Sequence, residues 1–570
     1  MKNIPQYLKK YIVNQNYDQY SFIDHACWRF IMRINHAYFS DNAHSSYLEG
    51  IEKTGITIDK IPRIEDINKK LQNFGWSAVG VKGFLPPLIF MDFQSKGILP
   101  IACDMRSIEH LTYTPAPDIV HEAAGHSPMI ADSDYADYLK YYGQIARKAI
   151  SSSEDYNLYL AIRELSDIKE NPKSTIKEIK HCEKALIKAI NSISYISEAA
   201  YLARINWWTV EYGLIGDLDK PKIYGAGLLS SIGESENCLK SNIKKIPLSI
   251  DCINYNYDIT EQQPQLFIAK NFKSLNKILD EFSSRMAYKV GGLEGVKKAL
   301  RSKAVCTLSF DSEIQISGQV TRILNQDLSY IQFSGPVQVC YNNSQINNHG
   351  IKRHPEGLGL PIGELKNNLV LNKLRKKDFI ELGYKINEKI TLEFKSGIII
   401  EGIIKEIFER ESLIKIITFT KCTVKINDEV LFSPEWGEYD LVCAQNVESV
   451  FGGPADIDLF YDLDSGKNQI EVLNKGISIS NTNEELNQIY SKIRFFREQE
   501  QKDFSKLKNL SDLLSEKYPE DWLSKLEIYE IIHSKKLAWE DEVKNFLNLK
   551  SKSNSDLSKA IKNSLHLIEQ

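Results

Sequence analysis

The stretch from Pro117 to Pro128 constrains this chain most, because it places two imidazoles and a carboxylate within six residues and has a proline at each end. Asp118 follows the first proline at a suitable N-cap position, so His121 and His126 are expected in the first turns of a helix. Neutral imidazole is the commonest metal ligand in proteins, and two of them need one further donor to make an open site. The sequence therefore directs the search to a third ligand.

The spacing of the two histidines decides which kind of metal site is possible. Side chains five residues apart point about 140° away from each other on an ideal α-helix, whereas side chains four apart differ by about 40°. The pair is therefore not the H-E-x-x-H arrangement of zincins. We expect a bend or a helix end near Gly125 to bring both imidazoles to one ion. Two alternatives stay open on this evidence: purely structural histidines, or a zinc hydrolase with Glu122 as its base.

Glu211 is the candidate third ligand, since an acid among aromatic residues is unusual at a protein surface. It lies near the end of a helical tract predicted over about 174–213, which Gly213 would close. Two histidines and one carboxylate form the facial triad of non-haem Fe(II) oxygenases. Three protein ligands leave three octahedral positions for water, O2 and an oxygen of a substrate or cofactor. A structural zinc ion would instead have its positions filled.

Two further segments have the composition of site loops. Around 79–105, short apolar runs are cut by prolines, which predicts strands and loops. The small, nearly uncharged residues of 224–231 suit a close approach of the backbone to a ligand or to another element. This second segment lacks both the phosphate-loop lysine and the full dinucleotide fingerprint, so we do not infer phosphate binding from it.

The length of the chain and the changes in its sequence pattern predict a multidomain protein. A chain of 570 residues is too long for one core. Near Lys303 the pattern becomes β-like, and Thr307–Gly318 is echoed 84 residues later by Thr391–Gly402. From about residue 483 the chain is helical and charged, as expected for amphipathic helices with solvated faces. We predict a mainly α-helical catalytic domain (1–300), a β-rich domain with an internal repeat of two modules at about 303–345 and 387–430 (301–465), and an α-helical C-terminal appendage (466–570).

Charge, hydropathy and cysteine usage exclude several classes of protein. The net charge of −4 gives no global basic field of the kind that nucleic-acid binders use. The chain has no N-terminal apolar signal region and no run of about 18 apolar residues, so we expect a cytoplasmic protein without a membrane span. Its nine cysteines are scattered and never spaced as C-x-x-C. Reduced, mostly buried thiols are therefore expected, rather than a disulfide framework.

Three sequence blocks together resemble the signature blocks of the pterin-dependent aromatic amino acid hydroxylases, in that family's order and approximate spacing. The blocks are 114–126, 207–213 and 224–234. The resemblance covers about residues 15–290, and the whole chain is most similar to the long bacterial phenylalanine 4-monooxygenases with a C-terminal extension. It implies the aromatic amino acid hydroxylase fold, Fe(2+) held by the catalytic residues His121, His126 and Glu211, and tetrahydrobiopterin or a related tetrahydropterin as the second cofactor.

The same resemblance implies which residues bind the amino acid and the pterin. Arg106 matches the arginine that holds the substrate carboxylate, a task suited to a bidentate guanidinium. The other residues that match the amino-acid pocket are Thr114, Pro115, Trp207, Tyr212, Gly227, Ser230 and Glu234. Phe90 matches the ring that stacks on the pterin, and the further pterin contacts are Gly83, Phe84, Leu85, Glu122 and Tyr257.

Some positions depart from the family pattern or bear on the choice of substrate. Pro100 stands where the animal enzymes have a histidine, and Asn206 stands where they have a tyrosine. Ala116 stands where most members of the family have a glutamate. The tryptophan at position 207 resembles the residue that phenylalanine and tyrosine hydroxylases have there. The apolar Ile259 resembles the residue of the phenylalanine hydroxylases. We therefore expect hydroxylation of L-phenylalanine to L-tyrosine.

The catalytic pattern begins close to the first residue of the sequence, so no N-terminal regulatory domain like that of the animal enzymes is expected.

Several alternatives stay open on the sequence. Tyrosine or tryptophan hydroxylation and a non-catalytic scaffold on the hydroxylase fold are the alternative functions. Self-association or a protein partner could use residues 466–570.

Overall fold

The computed structural model describes residues 4–112, 117–170, 174–257, 262–324, 328–461, 483–499, 501–553 and 555–570. Helices make up most of the first 300 residues, and the sequence supplies caps for several of them. Ser21 and Asp24 form a capping box at the start of a 21-residue helix. The helices are α1 (Gln6–Lys9), α2 (Phe22–Asn42), α3 (Ser45–Thr54), α4 (Ile64–Leu71), α5 (Pro87–Ser95), α6 (Ser127–Met129), α7 (Ser133–Ala146), α8 (Ser153–Glu170), α9 (Ile176–Asn191), α10 (Glu198–Asn206), α11 (Ala226–Leu229), α12 (Ile232–Cys238), α13 (Phe272–Ser283), α14 (Ala287–Val290) and α15 (Gly292–Ser302).

Short strands complete this helical part. One parallel pair joins β1 to β2, and a second sheet has the order β4-β3-β6-β5. The strands are β1 (Ser77–Val81), β2 (Ile98–Ala102), β3 (Leu214–Ile215), β4 (Lys222–Ile223), β5 (Lys244–Pro247) and β6 (Gln265–Ala269). Among the residues that the structure describes, no helix is both long and apolar enough to span a bilayer. All nine cysteines are free and buried, as predicted.

Two sequence predictions of secondary structure were wrong in part. The region 79–105 contains helix α5 between its two strands, because Pro87 at the first helical turn favours a helix and the apolar run is too short for periodicity to decide. The tract predicted over 174–213 is broken, since α9 ends at Asn191 and α10 begins at Glu198. The Ser197 side chain accepts a hydrogen bond from the Ala200 amide and thereby starts the second helix.

The chain is mainly β-strand between residues 305 and 452, where it forms two sheets with separate cores. The first has the order β10-β9-β8-β7-β17, with β11 also on β9; the second has the order β12-β13-β14-β15, with β16 also on β14. The strands are β7 (Val305–Phe310), β8 (Ile314–Leu324), β9 (Tyr330–Tyr341), β10 (Ser344–Gln345), β11 (Gly357–Pro361), β12 (Lys389–Glu393), β13 (Ile398–Arg410), β14 (Leu413–Ile426), β15 (Glu429–Phe432), β16 (Tyr439–Val442) and β17 (Val447–Gly452). Short helices α16 (Lys376–Glu381) and α17 (Ile457–Phe460) accompany them.

The hairpins β7–β8 and β12–β13 have the same register. Thr307 pairs with Ser317, and Thr391, 84 residues later, pairs with Glu401. The pairing of β8 with β9 slips just after Ser317, and that of β13 with β14 slips just after Glu401. Each slip therefore lies at the same position of its own hairpin, where each strand bends over its core.

The C-terminal helices pack on the N-terminal half. They are α18 (Glu484–Glu498), α19 (Phe504–Lys517), α20 (Trp522–Ile532), α21 (Glu540–Lys550) and α22 (Asp556–Glu569). Ile493 and Ile528 are fully buried in the same core as Trp28 of α2. The buried guanidinium of Arg29, also in α2, contacts the carboxylates of Glu527, at 3.1 Å, and Glu530. The C-terminal helices thus share a core with the first 300 residues.

We expect a chain that ends at residue 461 to aggregate or to unfold at a much lower temperature than the full chain. Burial of each large aliphatic side chain contributes roughly 1.5–3 kcal/mol, and the net stability of a domain is only about 5–15 kcal/mol. Arg29→Ala in the full chain should cost roughly 1.5–3 kcal/mol, the usual contribution of a hydrogen bond to a charged group, because Glu527 keeps Arg497 and Glu530 keeps Arg33 as partners. Thermal and denaturant unfolding measure both effects, with Arg63→Ala as the exposed control. Equal melting of the truncated and full chains would contradict the shared core.

Candidate metal centre and amino-acid pocket

The two histidines lie on a π-helix, Val120–His126, and Glu211 ends a second π-helix, Trp207–Glu211. Hydrogen bonds in a π-helix join residues five apart, so side chains with that spacing lie about one turn above each other. This change of helix type replaces the bend that we expected near Gly125. The glycine has another task, since a Cβ there would lie 2.7 Å from the carbonyl oxygen of Ala226.

The three candidate ligands converge. His121 Nε2 and His126 Nε2 are 3.1 Å apart, and they lie 3.3 Å and 3.5 Å from the two carboxylate oxygens of Glu211. Donors about 2.0–2.2 Å from one ion are separated by roughly 2.9–3.5 Å, so these distances fit a shared metal. Burial alone would raise the pKa of Glu211, but the two imidazoles hold it well below its ordinary range. The carboxylate is therefore ionised and ready to bind a cation.

A serine fixes the orientation of the first histidine. The Ser230 hydroxyl lies 2.8 Å from the carbonyl oxygen of Ala226, to which it donates, and 3.0 Å from His121 Nδ1. Because its single proton goes to that carbonyl, the hydroxyl accepts a hydrogen bond from Nδ1–H. The other ring nitrogen, Nε2, then carries the free lone pair that a metal requires.

Arg106 and Asp118 form a buried bidentate ion pair. Arg106 Nε and one terminal nitrogen donate to the Asp118 carboxylate at 2.7 Å and 2.8 Å. Asp118 also accepts from the His121 backbone amide at 3.0 Å, which confirms its predicted capping role. The other terminal nitrogen of Arg106 donates to the Ser230 carbonyl at 3.1 Å. Within the described part of the chain, three of the five guanidinium donors are therefore bound by the protein, and two are left for a ligand.

Two polar side chains beside the metal cluster carry unsatisfied atoms. Glu122 is buried, and its Oε2, 4.0 Å from His126 Nε2, has no hydrogen-bond partner among the described residues. Burial raises the pKa of Glu122 to about 8, although the nearby His126 opposes the shift. Asn206 donates to Glu211 at 3.4 Å, while its own Oδ1 is buried and unpaired in the described structure. Such buried unpaired groups are costly, which suits atoms that face a ligand.

The predicted pocket residues include a stack of three aromatic rings. The Trp207 ring is stacked against Tyr212 at 4.5 Å and against Tyr257 at 4.3 Å between ring centroids. Trp207 Nε1 donates to the Gln263 side-chain oxygen at 3.4 Å, and the Gln263 backbone N–H donates to the Glu234 carboxylate at 3.2 Å. The structure therefore joins a predicted pterin residue, Tyr257, to three predicted substrate residues.

Gly227 and Glu234 support this stack in different ways. A Cβ on Gly227 would lie 2.9 Å from the Tyr212 ring, so the glycine permits close packing rather than offering a contact of its own. Glu234 is buried, and burial raises the pKa of its carboxyl to about 7. Thr114 and Pro115, together with Ala116 and Ile259, lie outside the described residues.

The predicted pterin loop follows β1 and is tied to the histidine helix through Asp104. The Gly83 amide donates to the Asp104 carboxylate at 3.3 Å, and the Asp104 carbonyl accepts from the Ile119 amide at 2.8 Å. The Phe84 carbonyl accepts from the Tyr159 hydroxyl at 3.1 Å. Leu85 and Phe90 are half-buried, Phe90 on α5. Gly83 is thus linked to the histidine helix through both the side chain and the backbone carbonyl of Asp104.

Sequence reasoning missed two residues of this site and one cluster elsewhere. The pairing of Asp118 with Arg106 was not predicted, although an acid beside the histidines was visible. Gln263, which bridges Trp207 and Glu234, lies in a segment with no motif to mark it. A second group of metal-type donors lies in the β-rich region: His349, His354 and Asp440. Its histidines also have a five-residue spacing, a signal that the sequence contained.

Two segments of the N-terminal half match one family of known proteins. Residues 6–162 and 190–293 match the sequence profile described as biopterin-dependent aromatic amino acid hydroxylase. The phenylalanine-4-hydroxylase of Chromobacterium violaceum is 29% identical over 264 residues, which cover 46% of this chain and 74% of the relative. That of Mesorhizobium japonicum is 27% identical over 269 residues, which cover 46% and 81%. The rat enzyme is 27% identical over 272 residues, which cover 47% and 50%.

Solved structures give a corresponding match. A crystal structure of the Chromobacterium violaceum phenylalanine hydroxylase with bound iron(III) and 7,8-dihydrobiopterin is 25% identical, with a TM-score of 0.38. The match covers 49% of this chain and 91% of that protein. The iron- and phenylalanine-bound structure from the same organism is 26% identical, with a TM-score of 0.36, and the match covers 48% of this chain and 86% of that protein.

Proposed function

Since residues 6–162 and 190–293 form a domain of the biopterin-dependent aromatic amino acid hydroxylase family, we propose that this protein is a phenylalanine 4-monooxygenase. It would convert L-phenylalanine to L-tyrosine with O2, Fe(2+) and tetrahydrobiopterin. The observation that carries the proposal is the convergence of His121, His126 and Glu211 to within 3.5 Å. The relatives named above, all phenylalanine-4-hydroxylases, favour phenylalanine among the aromatic amino acids.

Fe(2+) would be held by the two Nε2 atoms and the Glu211 carboxylate, a donor set that suits iron with open positions. Iron and the tetrahydropterin, when bound, supply the activation of O2 that ring hydroxylation needs. The protein's own contribution is orientation. Ser230 holds the His121 ring, and Asp118 holds the start of the helix that carries both histidines. The His121 ring therefore cannot turn away without breaking its hydrogen bond to Ser230.

The substrate and the pterin would use groups that the protein leaves unsatisfied. Arg106 has two donors without a partner among the residues that the structure describes, and Asp118 anchors it, so it is preorganised for the carboxylate of an amino acid. Glu122 offers a buried carboxyl oxygen for the N–H groups of a pterin ring. The stack that includes Trp207 and Tyr257 adds an apolar wall between the two sites. These roles explain why buried polar atoms without protein partners gather around one cluster.

A comparison of substrates tests the proposed function. Full-length protein with Fe(2+) and tetrahydrobiopterin should hydroxylate phenylalanine faster than tyrosine or tryptophan in single-substrate turnovers. Faster turnover of either rival would assign the protein to that hydroxylase class. A zinc hydrolase with Glu122 as base would instead contain zinc and turn over without pterin. A non-catalytic scaffold would show no pterin-dependent turnover of any of the three amino acids.

We expect Ser230→Ala to weaken iron binding by roughly 10–100-fold, the usual cost of losing the partner that orients a metal-bound histidine. The change frees His121 Nδ1 and lets the neutral ring take the wrong tautomer. Iron titration of the purified chain measures the effect. Ser235→Ala is the matched control, because this buried hydroxyl donates to the Ile232 carbonyl at 3.0 Å and touches no histidine. Equal iron affinity in both variants would remove Ser230 from the metal site.

We also propose the finer points of organisation that the sequence suggested. The modules at 303–345 and 387–430 are copies of one unit, a proposal supported by their shared hairpin register and equivalent slips. They lie in a β-rich domain at 301–465, between a catalytic domain at 1–300 and a helical segment at 466–570. Nine free, buried thiols favour the cytoplasm. Self-association through 466–570 would need the surfaces that these helices leave exposed, which light scattering can test.

A further inference from the structure

We propose that His349, His354 and Asp440 form a second metal site, which binds a divalent transition-metal ion of the Zn²⁺ type. The site lies in the β-rich region, outside the hydroxylase domain, and is independent of the proposed hydroxylation. One ring nitrogen of each histidine and a carboxylate oxygen of Asp440 lie within 4.8 Å of one another. His349 Nδ1 is 3.6 Å and His354 Nε2 is 3.5 Å from the same oxygen, Oδ2.

These distances favour a bridging ion over direct hydrogen bonds. An N–H donor bound to a carboxylate would lie about 2.7–2.9 Å from the oxygen. Donors on one zinc ion, each about 2.0–2.2 Å from it, are roughly 3.3–3.5 Å apart in tetrahedral geometry. The separations in the cluster of His121, His126 and Glu211 are similar. The second cluster thus repeats the donor types and the histidine spacing of the first, and its nitrogen-to-carboxylate distances are similar.

The histidine nitrogens have no other use among the described residues. His349 Nδ1 and His354 Nε2 are both buried without a hydrogen-bond partner. The His354 side chain is 6% exposed, and that of Asp440 is fully buried. Neutral imidazoles with free lone pairs are the form in which histidine binds a metal.

The carboxylate has one lone pair left for such an ion. Asp440 Oδ1 accepts from Thr418 Oγ1 at 2.6 Å and from Arg353 at 3.1 Å. Among the described residues, Oδ2 accepts a hydrogen bond only from Arg353 Nε, at 2.7 Å, and each oxygen has about two acceptor sites. The remaining acceptor site of Oδ2 is therefore available to an ion between the two histidines. Arg353 does not cancel this attraction, since its charge is shared with Glu438 at 3.0 Å.

The backbone holds the histidines in place. Their carbonyl oxygens accept from the β9 amides of Val339, at 2.8 Å, and Val337, at 2.9 Å. Asp440 lies on β16, which belongs to the other sheet. An ion here would therefore tie the loop before β11 to the second β-sheet, and its main effect would be to stabilise the β-rich region. Such a cross-link is the role of a structural metal.

Zinc binding to the full chain tests the site once the first cluster is silenced. A chain that carries both His126→Ala and Glu211→Ala should retain one Zn²⁺ after dialysis against the ion, and its unfolding temperature should rise with zinc. Addition of His354→Gln or His349→Gln should weaken zinc binding by at least about 100-fold. His566→Gln, at an exposed histidine, should leave it unchanged. Thr418→Val should weaken it by roughly 10–100-fold, because it frees the Asp440 carboxylate.

Two further measurements separate ligand loss from misfolding. In the otherwise unchanged chain, His354→Gln should keep pterin-dependent hydroxylation and the far-ultraviolet circular dichroism of the parent. Cobalt(II) bound to the chain with the silenced first cluster should show the visible bands of a four- or five-coordinate ion. The proposal is overturned if that chain binds no stoichiometric zinc, if the glutamine variants bind it as tightly as the parent, or if the cobalt bands are absent.

Discussion

Glu211→Ala should abolish stoichiometric iron binding and, with it, hydroxylation. The carboxylate is the only anionic donor in the cluster with His121 and His126, and it offsets part of the charge of a divalent ion. The loss should exceed the roughly 10–100-fold that removal of an outer partner costs, because a direct ligand disappears. Glu211→Gln keeps the size of the side chain and removes its charge. Its loss of iron affinity should lie between the loss in Glu211→Ala and the loss from removing an outer partner. Iron content per chain and turnover at saturating phenylalanine measure the effect.

The controls for this prediction separate metal loss from loss of fold. Asp217→Ala removes an exposed carboxylate six residues later and should change neither iron content nor turnover. Circular dichroism of Glu211→Ala should match that of the parent, since the side chain is partly exposed and ends its helix. A Glu211→Ala chain that still bound one iron and hydroxylated phenylalanine would show that the cluster is not the iron site. A scaffold function would survive the substitution.

Local patterns in the sequence predicted those parts of the site that depend on neighbouring residues. The two histidines, the acid in an aromatic segment and the cap at Asp118 were all visible within short windows. The π-helical geometry was not, because a period of five is stabilised by tertiary packing, here the close approach of Ala226 to Gly125. The convergence of His121 and His126 was therefore expected from the sequence, but the π-helix that produces it was not.

Contacts between distant residues account for most of what the sequence did not predict. Arg29 meets Glu527 nearly 500 residues later, and neither position has a pattern that marks the pair. The amphipathic C-terminal helices were predicted as helices, but periodicity does not say which surface an apolar face covers. The same limit applies to Asp440, which joins His349 and His354 only through the packing of two sheets. Local propensity thus located the elements, and long-range packing decided their partners.

Arg106→Lys should lower kcat/KM for phenylalanine by at least about 100-fold, chiefly by raising KM. Lysine keeps one positive charge but loses the planar fork that binds Asp118 with two donors and leaves two for a carboxylate. Iron content should change little, because Asp118 can still accept from the His121 amide. Steady-state kinetics with the iron-loaded variant measure the effect. Arg285→Lys, in an exposed pair with Glu281, is the control and should behave as the parent.

A substrate without a carboxylate shows whether Arg106 acts on the amino acid or on the fold. Phenethylamine keeps the aromatic ring and the amine of phenylalanine but has nothing for a guanidinium to hold. The parent should therefore prefer phenylalanine strongly over phenethylamine. Arg106→Lys should lose most of that preference, because phenethylamine makes no carboxylate contact with Arg106 that the substitution could remove. If the substitution lowered kcat/KM for both compounds by one common factor, Arg106 would be a structural partner of Asp118 alone. The ratio of the two values, rather than either rate, is the decisive quantity.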